Sequence, residues 1–377
     1  IHANDTLAIS GGTVNVTAEG DGLQAEEILD ISGGEVNVTT TGEVKASTSN
    51  DFGGRGEMKD SLQMTDDEIQ SMREQMNNNQ FTQTEESDDS DDTSSKGIKA
   101  DWMLDISGGE VTVNSTDHAI HCTSDINITG GTLNLSSESK KGISCHGDVT
   151  IDDGDITITK STEGIESKKI LTINGGNIDI TASDDGLNSG GTGANQNGGF
   201  GGGTNMQGGQ QDNRGKIGRQ NSDGQDGNQM TPPDMSSDQN GGQMTPPNMQ
   251  QAEGNEQDSE HHIQINGGNI KIVADADGID SNGSLFINGG TITVDAQATG
   301  AESAFDTDGA FIVNGGTIIG VSGSGMDESP NSYSDQNVIL AYTTSQISAG
   351  DEVKITDSNG KTIAEYTAVK GGSKIVY

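Results

Sequence analysis

The chain has 377 residues, only 28% of them hydrophobic, and its 59 acidic against 19 basic side chains give a formal charge of −40 at pH 7. So acidic a surface excludes nucleic acid and anionic membrane as natural partners, because both require positive charge on the protein. No apolar run approaches the ~18 residues of a membrane span, and no signal-peptide pattern precedes Ile1.

Leu7 opens the segment LAISGGTVNV, and eight approximate copies follow along the chain. They are LDISGGEVNV from Leu29, LDISGGEVTV from Leu104, INITGGTLNL from Ile126, VTIDDGDITI from Val149, LTINGGNIDI from Leu171, IQINGGNIKI from Ile263, LFINGGTITV from Leu285 and FIVNGGTIIG from Phe311. Uninterrupted copies are about 22 residues apart, a period typical of solenoids. Within one copy, Leu104, Ile106, Val111 and Val113 alternate with polar residues, which predicts two strands with one face buried. Gly108-Gly109 stands between them as a tight corner.

A short third segment follows each of the first eight copies: GLQA at Gly22, GIKA at Gly97, AIHC at Ala119, GISC at Gly142, GIES at Gly164, GLNS at Gly186, GIDS at Gly278 and GAES at Gly300. Its fourth position holds only Ala, Cys or Ser, which fits a narrow interior corner. Three strands and three corners per period predict an all-β fold, a right-handed parallel β-helix of about nine coils spaced ~4.8 Å apart. Asn174, Asn266, Asn288 and Asn314 are expected to form an amide ladder. Cys122 and Cys145 stack in successive coils, close enough for a disulfide, though two buried thiols suit their parallel directions better.

Two insertions interrupt the solenoid predicted over 1–325. The first, 45–95, carries a helix signature in which Thr65 caps, Glu68 closes a capping box, and Ile69, Met72 and Met76 share a face. It ends in EESDDSDD from Glu85, a solvated loop or a calcium-attracting one. The second, 190–260, is rich in Gly, Gln, Asn and Met and reads as a flexible tether. Residues 326–377 change character and predict a small β-rich cap of hairpin-connected strands. The chain starts almost inside a coil, so a processed or trimmed portion of something longer is expected, and the acidic, Asn/Gly/Thr-rich, Cys-poor composition suggests export from a bacterium.

Candidate chemistry sits on the third segments. The residue before each one reads Asp21, Lys96, His118, Lys141, Glu163, Asp185, Asp277, Thr299, and the third residue within it reads Gln24, Lys99, His121, Ser144, Glu166, Asn188, Asp280, Glu302. Both columns turn acidic in the second half. Stacked like charges repel, so Glu163, Asp185 and Asp277 beside Glu166, Asn188 and Asp280 invite a hard cation with oxygen ligands, calcium above all. Asp184, Asp275, Asp306 and Asp308 are further candidates, and a solvated acidic face is the plain alternative. His118, His121 and His146 have a spacing that suggests a transition metal, but positions three apart on one strand point to opposite sides. All four arginines lie in the insertions and none on a coil, which argues against a lyase that needs a basic residue beside bound uronate.

The combination of Gly-Gly with TIxI and then DGL[NQ][SA], best seen in EGIESKKILTINGGNIDITASDDGLNSGG from Glu163 to Gly191, resembles a bacterial, clostridial-type family of extracellular carbohydrate-binding β-helix proteins. The resemblance implies a pectate-lyase-like fold, calcium on the solenoid, and binding of cellulose or of acidic sugar such as polygalacturonate. It also implies that Asp184, Asp185, Asn188, Asp277 and Asp280 are calcium ligands. Trp102 is the single Trp, so flat stacking on crystalline cellulose is not expected. The expected function is a non-catalytic, cell-surface module that binds polysaccharide through calcium. The alternative is a fibre subunit polymerising through its coil ends and insertions. A polysaccharide lyase or hydrolase comes third.

Overall fold

The computed structural model describes residues 1–42, 95–190, 261–300, 302–323 and 328–377. Among the described residues every regular element is a β-strand. The expected helix around Thr65 and the acidic run from Glu85 lie outside them, as does nearly all of the second insertion.

The third segments form a nine-stranded sheet of parallel neighbours, from His2–Ala3 through Leu23–Ala25, Ile98–Ala100 and Ile120–Cys122 to Phe305–Thr307. The two strands flanking each Gly-Gly pair join a larger sheet of 18 strands. Register is strict. Leu104 faces Ile126 and Ile106 faces Ile128, while Val111 faces Leu133 and Val113 faces Leu135. Each coil therefore lays its apolar residues on the same residues of the next, and these interior columns are fully buried. Burial of one such Leu or Ile side chain contributes about 1.5–3 kcal/mol, which is how a chain so poor in apolar residues sustains a core. In the first two coils the strand runs on through the glycine pair, over Thr6–Ala18 and Ile28–Thr40, with a register shift at Ser10.

The second glycine of the corner carries the conformational demand. Gly109 has φ +91°, and a Cβ there would lie 2.9 Å from the carbonyl oxygen of Gly34. In the one copy where the pair reads Asp153-Gly154, the retained glycine is the second, with φ +130°.

The small-residue column holds from Ala25 to Ser281 and gains Ala3 at its start, but Thr307 rather than Ser303 follows Ser281. Cys122 and Cys145 occupy adjacent places in it as free, fully buried thiols. The amide ladder also forms. Asn266 donates to Asn174 at 2.7 Å, Asn288 to Asn266 at 2.8 Å and Asn314 to Asn288 at 2.9 Å, and Asn174 donates to Asp152 at 2.7 Å.

One register differs from expectation. GAES at Gly300 is not the last third segment, because Phe305, Asp306 and Thr307 face Ile279, Asp280 and Ser281. The final repeat is 26 residues long, and its extra residues form a bulged turn in which Gly300 has φ +122°. Packing explains the choice. GAES offers no large apolar side chain to the interior, whereas Phe305 fills it and lies with its ring 5.1 Å from that of Phe311.

The C-terminal segment is β-rich as expected, with strands Leu340–Ser348, Glu352–Thr356, Thr362–Thr367 and Gly371–Val376. Glu352–Thr356 and Thr362–Thr367 form a hairpin. Gly371–Val376 runs antiparallel between Leu340–Ser348 and Thr317–Ser322, while Asn331 and Gln336 take the backbone carbonyls of Phe311 and Val313. Two strands of the final coil are thus already paired on their outer side. Asp295, fully buried, anchors the segment: Tyr366 donates its hydroxyl to Oδ2, and the amides of Val369 and Lys370 donate to Oδ1 at 3.0 and 3.1 Å.

Candidate functional site

Each third segment is a three-residue strand preceded by a corner. The residue before it passes its carbonyl to the glycine or alanine of the preceding coil, as when Gly142 N donates to Glu163 O and Gly164 N donates to Asp185 O, both near 3 Å. The two candidate columns are therefore stacked in register, one on the corner and one on the outward face of the strand. The corner swings the first column round beside the second. His118 and His121 lie with ring centroids 5.3 Å apart and planes 26° from parallel, so the opposite-sides argument, which assumes one continuous strand, does not apply here. His146 meets His121 edge-on at 5.2 Å.

Three zones follow one another along these columns. The first holds Lys96, Lys99, His118 and His121, all nearly or fully buried. His118 Nδ1 accepts the amide of Lys141 at 3.3 Å, and Lys99 pairs with Asp101 at 3.7 Å.

The second zone is an ion-pair cluster. Lys141 Nζ lies 2.5 Å from Glu166 Oε2 and 3.5 Å from Glu163 Oε1, and Lys168 Nζ lies 2.8 Å from Glu166 Oε1. Ser144 donates its hydroxyl to Glu166 at 3.2 Å. Burial pushes the Glu166 carboxyl up, but the two ammonium groups outweigh it and hold it below its ordinary value. Glu163 has only the longer contact to Lys141. Burial dominates there and raises its carboxyl to about 7, and its Oε2 is buried without a hydrogen bond.

The third zone is carboxylate on carboxylate. Burial, then the charges of Asp280 and Asp184, push Asp185 up to about 8. Burial also raises Asp277 to about 8, with Glu302 beside it, and raises Asp280 to about 7, with Asp306 and Asp277 beside it. Asp184 and Asp306 are raised for the same reason. Asp185 Oδ1 accepts the amide of Asp277 at 3.0 Å, Asp277 Oδ1 accepts the amide of Ser303 at 2.5 Å, and Asn188 Nδ2 reaches Asp185 Oδ2 at 3.5 Å. Asn188 is 9% exposed, and its Oδ1 is buried without a hydrogen-bond donor.

The seven predicted metal-ligating residues thus share one line of the fold but divide into two groups. Glu163 and Glu166 belong to the lysine cluster. Asp184, Asp185, Asn188, Asp277 and Asp280 form the lysine-poor stack, which Asp306 joins through the corrected register. Among the described residues, no three carboxylate, imidazole or thiol groups converge as they stand on a point where an ion would sit. The donors are nevertheless of the kind a hard cation takes, anionic oxygens with an amide oxygen that lacks a donor. Sequence reasoning missed Lys141 and Lys168 as partners of the two glutamates. The signal was present, since Lys141 stands directly before Glu163 in the first column.

A family model described as "Carbohydrate-binding domain-containing protein" matches residues 1–140 and 130–214. No curated protein and no solved structure matches the chain.

Proposed function

The chain belongs to the carbohydrate-binding domain-containing family, and from that membership we propose that it is an extracellular, non-catalytic module that holds acidic polysaccharide of the polygalacturonate type through calcium. The family supports polysaccharide binding as such. The observation that carries the finer reading is the stack of Asp185, Asp277 and Asp280, whose carboxyls burial and mutual repulsion raise to about 8, 8 and 7. A net charge of −40 makes direct capture of a polyanion unfavourable, so a divalent ion between the two sets of carboxylates reconciles an acidic protein with an acidic ligand.

In this reading Asp185, Asn188, Asp277 and Asp280 hold the ion after small side-chain rotations, with Asp184 at the margin. Bound calcium supplies positive charge and vacant oxygen positions for uronate. Glu163 and Glu166 stay with their lysines and set the edge of the site. The coils present no arginine to act as a base, which is why binding without cleavage is favoured.

The test is retention on immobilised polygalacturonate and on cellulose, with calcium and with chelator, for the native chain and for Asp185→Asn/Asp277→Asn. Calcium-dependent retention on polygalacturonate that the double variant loses is the expected result. Retention unchanged by chelator would sink the calcium bridge, and release of unsaturated ends into solution would sink the non-catalytic reading.

A further inference from the structure

Of the large apolar side chains left exposed among the described residues, only Ile1 and Trp102 lie on coils. Tyr333, Ile339, Tyr342, Ile363 and Val369 lie in the C-terminal segment. Trp102 is 64% exposed although its backbone is fixed on both sides: its amide donates to Glu27 O at 3.1 Å, and its carbonyl accepts from Asp125 N at 3.1 Å. A side chain held out on so rigid a support loses little freedom when something settles on it.

The corner that carries Trp102 leads from Ile98–Ala100 into Met103–Ile106. Neighbouring registers place Ser124 and then Gly147 at the same corner in the next two coils, followed by exposed Lys169 in the third. Gly147 admits no larger residue, because a Cβ would come within 2.1 Å of Ser124 O. The surface next to the indole is thus low for two coils and then ends at an ammonium group, roughly 14 Å from Trp102 at the spacing between strands. Half-buried Asp101 precedes Trp102 and pairs with Lys99 at 3.7 Å, while half-buried Asp125 follows Ser124 on the next coil and accepts the amide of Asp148 at 2.9 Å.

We infer that Trp102 is the stacking platform of a saccharide subsite, with one pyranose ring on the indole and the chain running along the solenoid so that a uronate carboxylate meets Lys169. The inference rests on the polysaccharide reading and places this contact on a different corner from the carboxylate stack. A pyranose presents an apolar face of C–H groups between equatorial hydroxyls, which matches an aromatic surface rimmed by polar groups. A hexose unit in an extended chain is about as long as the spacing between coils, so successive sugars fall in step with Ser124 and Gly147. A single indole suits one chain rather than a crystalline surface.

Trp102 is the only Trp, so its emission reports this subsite alone. The experiment titrates the native chain with oligogalacturonates and with cello-oligosaccharides, in calcium, and repeats the binding by calorimetry for Trp102→Ala, Trp102→Phe and Lys169→Ala after their melting curves are matched to the native one. The expected result is a saturable emission shift, about a tenfold loss of affinity for Trp102→Ala with most of it restored by Trp102→Phe, and a loss for Lys169→Ala confined to the acidic oligomer. Undiminished binding by Trp102→Ala with no emission change in the native chain overturns the subsite while leaving the polysaccharide reading intact. Failure of the native chain to bind either oligomer overturns both.

Discussion

Lys141 and Glu166 belong to successive coils and to different columns, yet Nζ lies 2.5 Å from Oε2, with the two side chains 15% and 3% exposed. The pair ties the corner of one coil to the strand of the next. Its removal leaves buried Glu166 with Lys168 and the Ser144 hydroxyl, and takes from Glu163 its 3.5 Å contact with an ammonium group. Lys141→Met is expected to cost about 3 kcal/mol, as breaking a buried ion pair does. Lys160→Ala, at the exposed pair with Glu138, is expected to cost less than about 1 kcal/mol. Urea midpoints of the two variants measure the difference, and equal shifts would mean that solvent screens the cluster.

The carboxylate stack sets a pH dependence of definite sign. Asp185 and Asp277 near 8 and Asp280 near 7 stand above the usual aspartate value of about 3.9. The folded chain therefore binds more protons than the unfolded chain between these limits, and stability falls as pH rises. The stabilising contribution is complete below about pH 4 and gone above about pH 8. Melting temperatures in chelator are expected to decline from about pH 5 to pH 8, and Asp185→Asn/Asp277→Asn to flatten the decline. A native profile that rises over this range would contradict the assignment.

Calcium should reverse that loss if the stack is its site. A ligand at a hundred times its dissociation constant adds about 2.7 kcal/mol to the folded state. At pH 8 the native melting temperature is expected to climb with calcium and to fall again on chelation, with the response mostly absent in Asp185→Asn/Asp277→Asn. A full response in that variant would place the ion elsewhere.

Gly109→Ala tests the corner. With φ +91° and a Cβ forced to 2.9 Å from Gly34 O, the substitution is expected to cost about 1–3 kcal/mol. Asp153→Ala, at the first position of a corner that already lacks its first glycine, is expected to cost less, losing the hydrogen bond from Gly154 N to Asp153 Oδ1. Comparative thermal unfolding reads both.

Asp295→Ala orphans the Tyr366 hydroxyl and the amides of Val369 and Lys370. Each lost hydrogen bond to a charged group is worth about 1.5–3 kcal/mol. The expected outcome is earlier proteolytic cleavage and faster amide exchange within 340–376, with the protection of Val111 and Leu133 unchanged. Uniform loss of protection would mean that the segment and the coils unfold together.

The coils were legible because the two signals that fix them, apolar alternation and the positive-φ glycine, are local. Leu104, Ile106, Val111 and Val113 declare their burial in ten residues of sequence. The Asn and small-residue columns were legible for the same reason, once the period was known. The facing of His118 and His121 was not, since it depends on how far the chain turns between them. The last register was misread because GAES imitates the repeat, while the preference for Phe305 arises from the volume it fills against Phe311, a tertiary property. The two columns of the site were read in advance except at that repeat. Their division by Lys141 and Lys168 required knowing which side chains meet across coils.

The amide ladder has a chemical consequence. Asn174, Asn266, Asn288 and Asn314 each precede a glycine, the pairing most prone to lose ammonia through a cyclic imide. That reaction needs the side-chain carbonyl carbon to swing onto the next backbone nitrogen. Asn174, Asn266 and Asn288 each donate to one neighbour and accept from another, so none can swing without breaking two bonds of the row. Asn314 donates to Asn288, and among the described residues no further amide donates to it, so ageing of the folded protein begins at that end of the row and is slowest at its middle.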